Sequence, residues 1–540
     1  MAIQGNLLAI IVLLLSIRLP FVASASATLT SCLSSANLQP ISPSSTNYTA
    51  DSLAFNQRLS YKPADIVFPS NDQDVASAIK CASQVGVKVV ARSGGHSYAA
   101  NGVGGEDGSL VIDLMNLNSV QVTASNQTAV FGTGIRLGDL ALALFNAGEQ
   151  AMAHGTCPYI GTGGHLGCGG FGLPSRLWGL ALDAVIEAQV VLANGSIVIA
   201  SSTENQDLFF AIRGAAPSFG VITSFTVKTQ SAPASNVFFN YVFSPLNVTA
   251  AVETFLACQN FGANNAPPTL GMYVVLGNGD FEMSGVFYGP ISNFTAVIQP
   301  LLDAVPQQPK SQSVKIYGWL GVLQQLAGSD GSLNTSTKAD VSDTFYAKSL
   351  MVDEDAPLTK TALQSFFNYL YGPGTTTDTS WFVEVDLWGG AVNAVPSNET
   401  AFSHRSTLYT FQFYASSSNS APPYPSDGIS FVDGMVSSIT SNMSGTNFGM
   451  YSCYVDPQLS AAEAQQVYYG NSTTTRLQNI KSQVDPANLF SFPQAIETAL
   501  VPEISTQSAA RRGAAPYAAQ LGVVSALLAS FMSETVHHSW

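Results

Sequence analysis

The stretch AHGTCPYIGTGGHLGCGGFG, residues 153–172, holds two Cys, two His and eight Gly. Its pairs His154-x-x-Cys157 and His165-x-x-Cys168 suggest zinc, but structural zinc sites usually have paired ligands on tight turns, and here the intervening residues are mostly glycine. From the residues alone, a Cys157–Cys168 disulfide is a stronger alternative. Because glycines let the backbone approach a ligand closely, a flat cofactor packed against this stretch is the third interpretation.

The composition sets the class of protein. The chain has 540 residues, of which 46% are hydrophobic and 10% are charged. This is enough for a large buried core and for two or three domains. The net charge of -15 comes without any block of Lys and Arg. A nucleic-acid partner is therefore not expected, since phosphate binding needs a concentrated basic surface.

Both ends of the chain bear on localisation. Residues 1–25 contain a short apolar run followed by small residues, which predicts a secretory signal peptide and a secreted, extracellular protein. Residues 506–540 are predicted to be a disordered or weakly helical tail. Their apolar patch is too short to span a bilayer, and they do not end in the hydrophobic run of a GPI signal, which stays the alternative. We expect no stable membrane association.

Sequons and cysteines agree with export. Asn-x-Ser/Thr sequons are spread along the chain. They start at Asn47, Asn126, Asn194, Asn247, Asn293, Asn334, Asn398, Asn442 and Asn471. Six cysteines allow up to three disulfides in an oxidising compartment, and their pairing is open at this point.

Apolar periodicity predicts an α+β fold. Residues 61–113 have the pattern of a βαβ unit, with a helix that begins at a capping box formed by Ser70 and Gln73. Further short strands follow up to about residue 230, including two around the Asn194-Gly195 turn. Beyond residue 230, apolar strands alternate with helical patches, which indicates an antiparallel sheet backed by helices.

A second glycine motif, ARSGGHSYAANGVGG, covers residues 91–105. An apolar strand leads into Gly94-Gly95, where backbone N–H groups can approach a phosphate or a ring closely. His96 follows at once. The alternative is an ordinary strand-to-loop turn with a surface histidine.

Two later stretches carry acid–base groups. In WFVEVDLWGG, residues 381–390, Phe382, Glu384 and Asp386 share one face of a strand. Burying an unpaired carboxylate costs free energy, so these two residues are expected to have a function or a partner. The alternative is that they lie on a strand edge that faces solvent. In YSCYVDP, residues 451–457, a bend could aim both Tyr451 and Tyr454 at one cleft. Otherwise both pack in a β core.

Four stretches in order carry a resemblance to a known family. They are ARSGGHSY, GTCPYIGTGGHLGCGGFG, DLFFAIRGAAPSFGVITSF and YYGNSTTTRLQNIKSQVDPANLFSFPQAI. Together they resemble the secreted fungal gluco- and chitooligosaccharide oxidases of the vanillyl-alcohol-oxidase and berberine-bridge-enzyme superfamily. The resemblance implies a two-part FAD-binding domain, residues 26–230 and 446–505, with an inserted antiparallel-sheet substrate domain, residues 231–445.

The resemblance also implies how FAD is held. His96 matches the residue that bonds the 8α-methyl of the flavin, and Cys157 the residue that bonds C6. Further residues expected to bind FAD are Arg92, Ser93, Gly94, Gly95, Ser97, Thr156, Gly161, Gly163, Gly164, His165, Gly169, Gly170, Gly172, Gly220, Val221, Ile222, Tyr468 and Tyr469. The family disulfide matches Cys32 with Cys81. Cys168 is then expected to be a small packed thiol, and Cys258 and Cys453 to be buried thiols, with a disulfide as the alternative. No metal is expected.

The catalytic roles follow from the same resemblance. Tyr454 matches the catalytic base and Asp386 its carboxylate partner. Cys453 stands where the family pattern has Asn, so this chain lacks the amide side chain of the pattern at this position. Expected substrate-binding residues are Tyr98, Phe382, Glu384, Gln412 and Tyr451, with Trp388 as a further stacking platform.

The predicted protein is a monomeric oxidase. It converts the reducing-end C1 hydroxyl of an oligosaccharide to a lactone, and O2 is reduced to H2O2. Two alternatives are a secondary-metabolism oxidase that acts on a non-sugar alcohol, and a secreted zinc- or carbohydrate-binding glycoprotein without enzymatic activity.

Overall fold

A computed structural model describes residues 29–244, 246–277, 280–328, 331–336 and 340–499. The predicted signal peptide and the predicted tail lie outside the described residues. The helices are α1 (29–35), α2 (Tyr48–Asp51), α3 (Asp72–Val85), α4 (Leu137–Asn146), α5 (Thr162–Cys168), α6 (Ser175–Trp178), α7 (Gln206–Ala215), α8 (Val248–Asn264), α9 (Ile291–Ala304), α10 (Trp319–Leu326), α11 (Lys360–Tyr371), α12 (Gly428–Thr440) and α13 (Ala461–Val484). Within the described ranges, no helix is long and apolar enough to cross a membrane.

The strands form four sheets. They are β1 (Asp65–Val67), β2 (Val89–Arg92), β3 (Leu110–Asp113), β4 (Val120–Thr123), β5 (Thr128–Gly132), β6 (Gln150–Ala151), β7 (Val185–Val191), β8 (Ile197–Ser201), β9 (Val221–Lys228), β10 (Gln230–Ser231), β11 (Asn236–Phe243), β12 (Leu270–Gly277), β13 (Asp280–Phe287), β14 (Ser311–Tyr317), β15 (Phe345–Asp353), β16 (Thr379–Leu387) and β17 (Thr407–Ser417). Helices together with mainly antiparallel sheets confirm the α+β class.

The predicted βαβ unit is present as a small parallel sheet with the order β1-β3-β2. Helix α3 buries Val75 and Ile79 against this sheet. Its N-cap is Asn71, whose side chain accepts from the Asp74 N–H, so the predicted Ser70–Gln73 capping box is wrong. The Asn71 side chain and the Asp74 carboxylate instead accept from N–H groups at the start of the helix.

The five-stranded antiparallel sheet has the order β4-β5-β9-β7-β8. The β7–β8 hairpin turns at Asn194-Gly195, as predicted, and Gly195 has φ +76°. Helix α7 lies on this sheet through Leu208 and Ile212. This part of the chain therefore has its own apolar core.

The third sheet has seven antiparallel strands in the order β14-β11-β13-β12-β16-β17-β15. Its apolar face packs against α8, α9, α11 and α12 in the largest core of the described protein. The prediction of an antiparallel sheet backed by helices is confirmed, but β14 and β15 were not predicted. β14 is a polar edge strand with exposed Val314 and Ile316, and Lys348 interrupts the apolar run of β15.

The C-terminal described segment returns to the first part of the chain. Leu477 and Ile480 of α13 join the core of the five-stranded sheet. Lys481 is fully buried and binds Asp485 (2.6 Å), Ser218 O (2.6 Å) and Phe490 O (2.8 Å). A buried charge that is fully paired in this way holds the segment in one place.

Candidate active site

A cavity of about 420 Å³ lies between the glycine-rich loops and the polar face of the seven-stranded sheet. One wall consists of the loop after β2 and the segment that leads into α5. The facing wall consists of side chains from β12, β16 and β17, together with the turn at residues 451–454. We call these the glycine wall and the sheet wall.

Close backbone packing explains the glycines of the glycine wall. A Cβ on Gly94 would collide with the backbone of Gly161, and a Cβ on Gly161 with that of Gly94. Ser93 ties the two loops together, since its Oγ donates to Thr133 O (2.5 Å) and accepts from the Gly163 N–H (3.2 Å). Gly164 opens into the cavity, because a Cβ there would meet nothing within 4 Å.

His96 and Cys157 meet at the glycine wall. The distance from His96 Nε2 to Cys157 Sγ is 3.7 Å. Phe55 stacks on the imidazole with ring centroids 3.7 Å apart, and Asp340 Oδ2 lies 3.7 Å from Nε2. Burial lowers the pKa of His96 to about 4 and raises the pKa of the Cys157 thiol. Near neutral pH, the imidazole is therefore uncharged.

Arg92 and His165 of the glycine wall already have protein partners. Arg92 pairs with Asp113, and its Nη1 donates to Asp51 O (2.5 Å). His165 Nε2 accepts from the Gly155 N–H (2.9 Å), and burial lowers the pKa of His165 to about 3. Both side chains support the wall and carry no free charge into the cavity.

Strand register builds the sheet wall. Asp386 lies opposite Tyr273 of β12, and Glu384 lies opposite Gln412 of β17. The intervening side chains of β16, such as Val385, face the apolar core, which confirms the predicted alternation. Among the described residues, neither carboxylate has a hydrogen-bond or ion-pair partner.

Burial therefore acts strongly on both carboxyl groups. It raises the pKa of Glu384 to about 7. It raises the pKa of Asp386 well above its usual range, and the charge of Glu384 raises it further. In the described part of the chain, no cation pairs with either carboxyl group, so both keep their protons up to a higher pH than usual.

A turn places the two tyrosines of YSCYVDP. The Tyr454 N–H donates to Tyr451 O (2.9 Å), and the two rings meet edge to face with centroids 5.1 Å apart. Tyr454 also stacks on Tyr98 at 5.6 Å, with an interplanar angle of 4°. Gln412 Nε2 donates to Tyr98 OH (2.6 Å). The predicted bend is present, and both rings line the cavity.

The two tyrosines differ in their hydroxyl partners. Tyr451 OH accepts from the N–H groups of Gly170 (3.0 Å) and Phe171 (2.9 Å), so its hydroxyl is held by backbone. Burial, and then the charge of Asp386, raise the pKa of Tyr454 well above its usual range. Tyr454 is therefore a neutral phenol at rest, and Asp386 can accept its proton when the Asp386 carboxyl group is ionised.

Most of the sequence-predicted site residues line this one cavity. They are Arg92, Ser93, Gly94, Gly95, His96, Ser97, Tyr98, Thr156, Cys157, Gly161, Gly163, Gly164, His165, Gly172, Gly220, Ile222, Glu384, Asp386, Gln412, Tyr451 and Tyr454. The structure does not place Gly169, Gly170, Val221, Phe382, Tyr468 and Tyr469 in its lining. Phe382 stacks on Tyr414, and Tyr468 OH accepts from the Asp456 N–H (3.0 Å).

The cysteine pairing corrects two predictions. Cys32 and Cys81 form a disulfide, the pair that the resemblance implied. Cys168 and Cys453 form a second one, so the expectation that both are thiols is wrong. Cys157 is a free thiol, and hence neither the Cys157–Cys168 disulfide nor a zinc site with Cys168 as thiolate is present. Cys258 is a buried free thiol, as predicted.

One aromatic prediction was also wrong, and some residues were missed. Trp388 is fully buried and stacks on Phe171 with centroids 4.4 Å apart, so it cannot be a sugar platform. Tyr273 lines the cavity, and Asp340 and Phe55 contact His96. Nothing in the sequence pairs β12 with β16 or brings residues 55 and 340 to the histidine loop, so these contacts had no local signal.

Two family models match the chain. The model of an FAD binding domain matches residues 63–201, and the model called berberine and berberine like matches residues 450–497. The xylooligosaccharide oxidase of Thermothelomyces thermophilus is 38% identical over 87% of this chain and 94% of its own. The chitooligosaccharide oxidase of Gibberella zeae is 36% identical over 86% of this chain and 94% of its own.

The chain belongs to the berberine bridge enzyme-like family of FAD-dependent oxidoreductases. A solved structure of the glucooligosaccharide oxidase from Acremonium strictum, described with a 6-S-cysteinyl, 8α-N1-histidyl FAD, has a TM-score of 0.82 and 33% identity. That match covers 88% of this chain and 100% of the other. The predicted fold class and the predicted enzyme class are thus confirmed, while the domain boundaries stay predictions.

The residues of the cavity fit FAD. The glycine wall leaves backbone and open space where side chains would otherwise stand, as a flat ring requires. His96 and Cys157 present an imidazole and a thiol within 3.7 Å of each other on that wall. Among the described residues, the backbone N–H groups of Gly94 and Gly95 have no acceptor, so they are available to a polar ligand.

Proposed function

We propose that this protein is a secreted, FAD-dependent oxidase of oligosaccharides. It oxidises the C1 hydroxyl of the reducing-end sugar to a lactone and reduces O2 to H2O2. One observation carries the proposal: the proton-accepting groups of the sheet wall, Tyr454, Asp386 and Glu384, line the same cavity as His96 and Cys157. The names of the curated relatives, which are oxidases of xylo- and chitooligosaccharides, support a sugar substrate.

Bound FAD would supply the hydride acceptor and the site of O2 reduction. The chain supplies the proton path. Tyr454 takes the proton of the C1 hydroxyl as it passes its own phenol proton to Asp386. This relay suits a phenol of raised pKa, because Tyr454 never needs to exist as a free phenolate. Proton removal in this way leaves C1 ready to lose its hydride.

The remaining polar groups of the sheet wall suit a sugar. Gln412, Tyr98, Tyr273 and Glu384 offer donors and acceptors for ring hydroxyls on one face of the cavity. Phe382 and Tyr414 stack next to this wall with centroids 4.9 Å apart and could support a second sugar ring. We therefore expect KM to fall from mono- to disaccharide while kcat changes less, as uniform binding predicts.

His96 and Cys157 are the proposed covalent anchors of FAD. Their spacing supports the proposal, as does the doubly linked FAD described for the Acremonium strictum enzyme. A tryptic peptide map tests it. The expected result is one yellow species that joins the peptides of His96 and Cys157. Recovery of Cys157 as a free thiol would contradict the second link.

Several features support secretion. All nine sequon asparagines are exposed, including Asn47, Asn194 and Asn471. The chain has two disulfides in its described part, which form and persist in oxidising compartments. The monomeric state stays a prediction.

Peroxide release is the experiment for the substrate. Purified, aerated protein is mixed with cello-, xylo-, malto- and chito-oligosaccharides, and with the same sugars reduced to alditols as matched controls. The proposal predicts peroxide and an equimolar aldonic acid from at least one series, and none from the alditols, which have no C1 hemiacetal. Peroxide from non-sugar alcohols only would establish the secondary-metabolism alternative.

A further inference from the structure

The disulfide between Cys168 and Cys453 joins the two walls of the cavity. Cys168 is the last residue of α5, on the glycine wall, and Cys453 lies in the turn that carries Tyr454 on the sheet wall. The two cysteines are 285 positions apart in the sequence, and both line the cavity. The bond therefore ends at the residue directly before the proposed base.

Hydrogen bonds reinforce the same junction. Ser452 Oγ donates to Cys168 O (3.1 Å). Tyr451 OH accepts from the N–H groups of Gly170 and Phe171, and the Tyr451 ring packs so tightly on Gly169 that a Cβ there would lie 2.8 Å from it. Three consecutive residues, 451–453, are thus fastened to the segment 168–171.

Tyr454 itself is held by rings and by the turn. Its N–H donates to Tyr451 O, its ring stacks on Tyr98, and it lies outside the helices and strands. Without the disulfide, the turn would depend on a few hydrogen bonds of modest net strength. The position of the Tyr454 hydroxyl relative to the glycine wall is therefore set by the junction that precedes it.

We propose that the Cys168–Cys453 disulfide is a positioning device for Tyr454. It fixes the distance between the tyrosine on one wall and the cofactor-binding segment on the other, so that the C1 hydroxyl lies within reach of the base when C1 is aligned for hydride loss. The inference rests on the proposed function of Tyr454. Misplacement of a catalytic group by about 1 Å can lower a rate by about 100-fold.

The chain contains a matched control. Cys32 and Cys81 form the other disulfide, which joins α1 to α3, and neither cysteine lines the cavity. Loss of either disulfide removes one covalent crosslink from the folded protein. Only loss of Cys168–Cys453 removes a link beside Tyr454.

The first test compares rates of flavin reduction. Cys168→Ser, Cys453→Ser and the double variant are mixed with saturating oligosaccharide without O2, and flavin bleaching is followed by stopped flow. We expect each to slow bleaching about 10- to 100-fold, with KM within about 3-fold of wild type and flavin reoxidation by O2 unchanged. Cys32→Ser/Cys81→Ser is expected to lower Tm while each folded molecule is reduced at the wild-type rate.

A second test uses the wild-type protein without a sugar, so it does not depend on whether the variants fold. Wild-type holoenzyme is treated with a phosphine reductant, the opened disulfide is identified by alkylation and mass spectrometry, and hydrogen–deuterium exchange is measured over residues 449–457. We expect faster exchange there once Cys168–Cys453 is open, and unchanged exchange when only Cys32–Cys81 is open. The comparison also separates the two proposals, since a flavin that no sugar bleaches would contradict the sugar substrate and leave the exchange result valid.

Two outcomes would overturn the inference. One is a wild-type rate of flavin reduction in the double variant together with unchanged exchange over residues 449–457. The other is a slow Cys453→Ser variant beside a normal Cys168→Ser variant, because both lose the same bond and must then differ through the residue at position 453.

Discussion

The two walls of the cavity differ in what they are made of. The glycine wall consists of backbone from two short stretches, and its His96 is neutral while its Arg92 is paired with Asp113. The sheet wall consists of side chains from three strands and a distant turn, and it carries two carboxyl groups without a protein partner in the described structure. The first wall is suited to hold a ring, and the second to move a proton.

Tyr454→Phe should have the largest effect on the sheet wall. It removes the group proposed to take the substrate proton, so kcat should fall by about 10²- to 10⁴-fold while the flavin content stays unchanged. Tyr424→Phe is the matched control, since it also removes a tyrosine hydroxyl but Tyr424 does not line the cavity. Steady-state peroxide release measures both. More than half of wild-type activity in Tyr454→Phe would require a different base.

Asp386→Asn tests the other half of the relay. The amide keeps the shape of the side chain but cannot accept the phenol proton, so we expect a loss of at least about 100-fold in kcat/KM. Near-wild-type Tm and flavin content would show that the loss is chemical. An unchanged pH–rate profile in this variant would remove Asp386 from the mechanism.

Gly94→Ala tests the close backbone packing of the glycine wall. The added methyl group would collide with the backbone of Gly161, which cannot move aside as a flexible side chain can. Overpacking of this kind costs about 1–3 kcal/mol, and flavin attachment should fall with it. Gly102→Ala is the control, because its Cβ would make ordinary contacts at 3.5 Å. The two variants are compared by Tm and by flavin bound per chain, and equal values would contradict the packing argument.

The contrast between the walls also explains what the sequence could predict. The stretches around His96 and Cys157 are continuous, and glycines required by close backbone packing leave a readable pattern. The sheet wall depends on strand order and register, which place Tyr273 opposite Asp386, and no local pattern encodes that pairing. The Cys168–Cys453 disulfide was missed for the same reason, since it joins segments that only the tertiary fold brings together.

Glu384→Gln should have a smaller effect, visible as pH dependence. The ionised Glu384 raises the pKa of Asp386, which must be ionised to accept a proton. Its removal should shift the acid limb of the kcat/KM profile to lower pH. A profile that does not move, or that moves to higher pH, would show that Glu384 does not act on Asp386.

The pH dependence of the free energy of unfolding should also reflect the raised pKa of Glu384. Burial raises the pKa of Glu384 from its ordinary 4.5 to about 7. Between these values, the unfolded chain has lost the proton that the folded chain keeps, so the free energy of unfolding falls as pH rises through this window. In Glu384→Gln, this contribution is absent, and the decline in Tm from acidic to neutral pH should be shallower. A decline equal to that of wild type would contradict the shift.

If the two walls serve one reaction, a single turnover without O2 must depend on both. Purified wild-type protein is mixed with a reducing oligosaccharide, flavin absorbance is followed, and the product is identified by mass spectrometry. We expect complete bleaching, one aldonic acid or lactone per flavin, and almost no bleaching on the same timescale in Tyr454→Phe. A flavin that stays oxidised with every reducing oligosaccharide, or that Tyr454→Phe reduces as fast as wild type, would contradict this expectation.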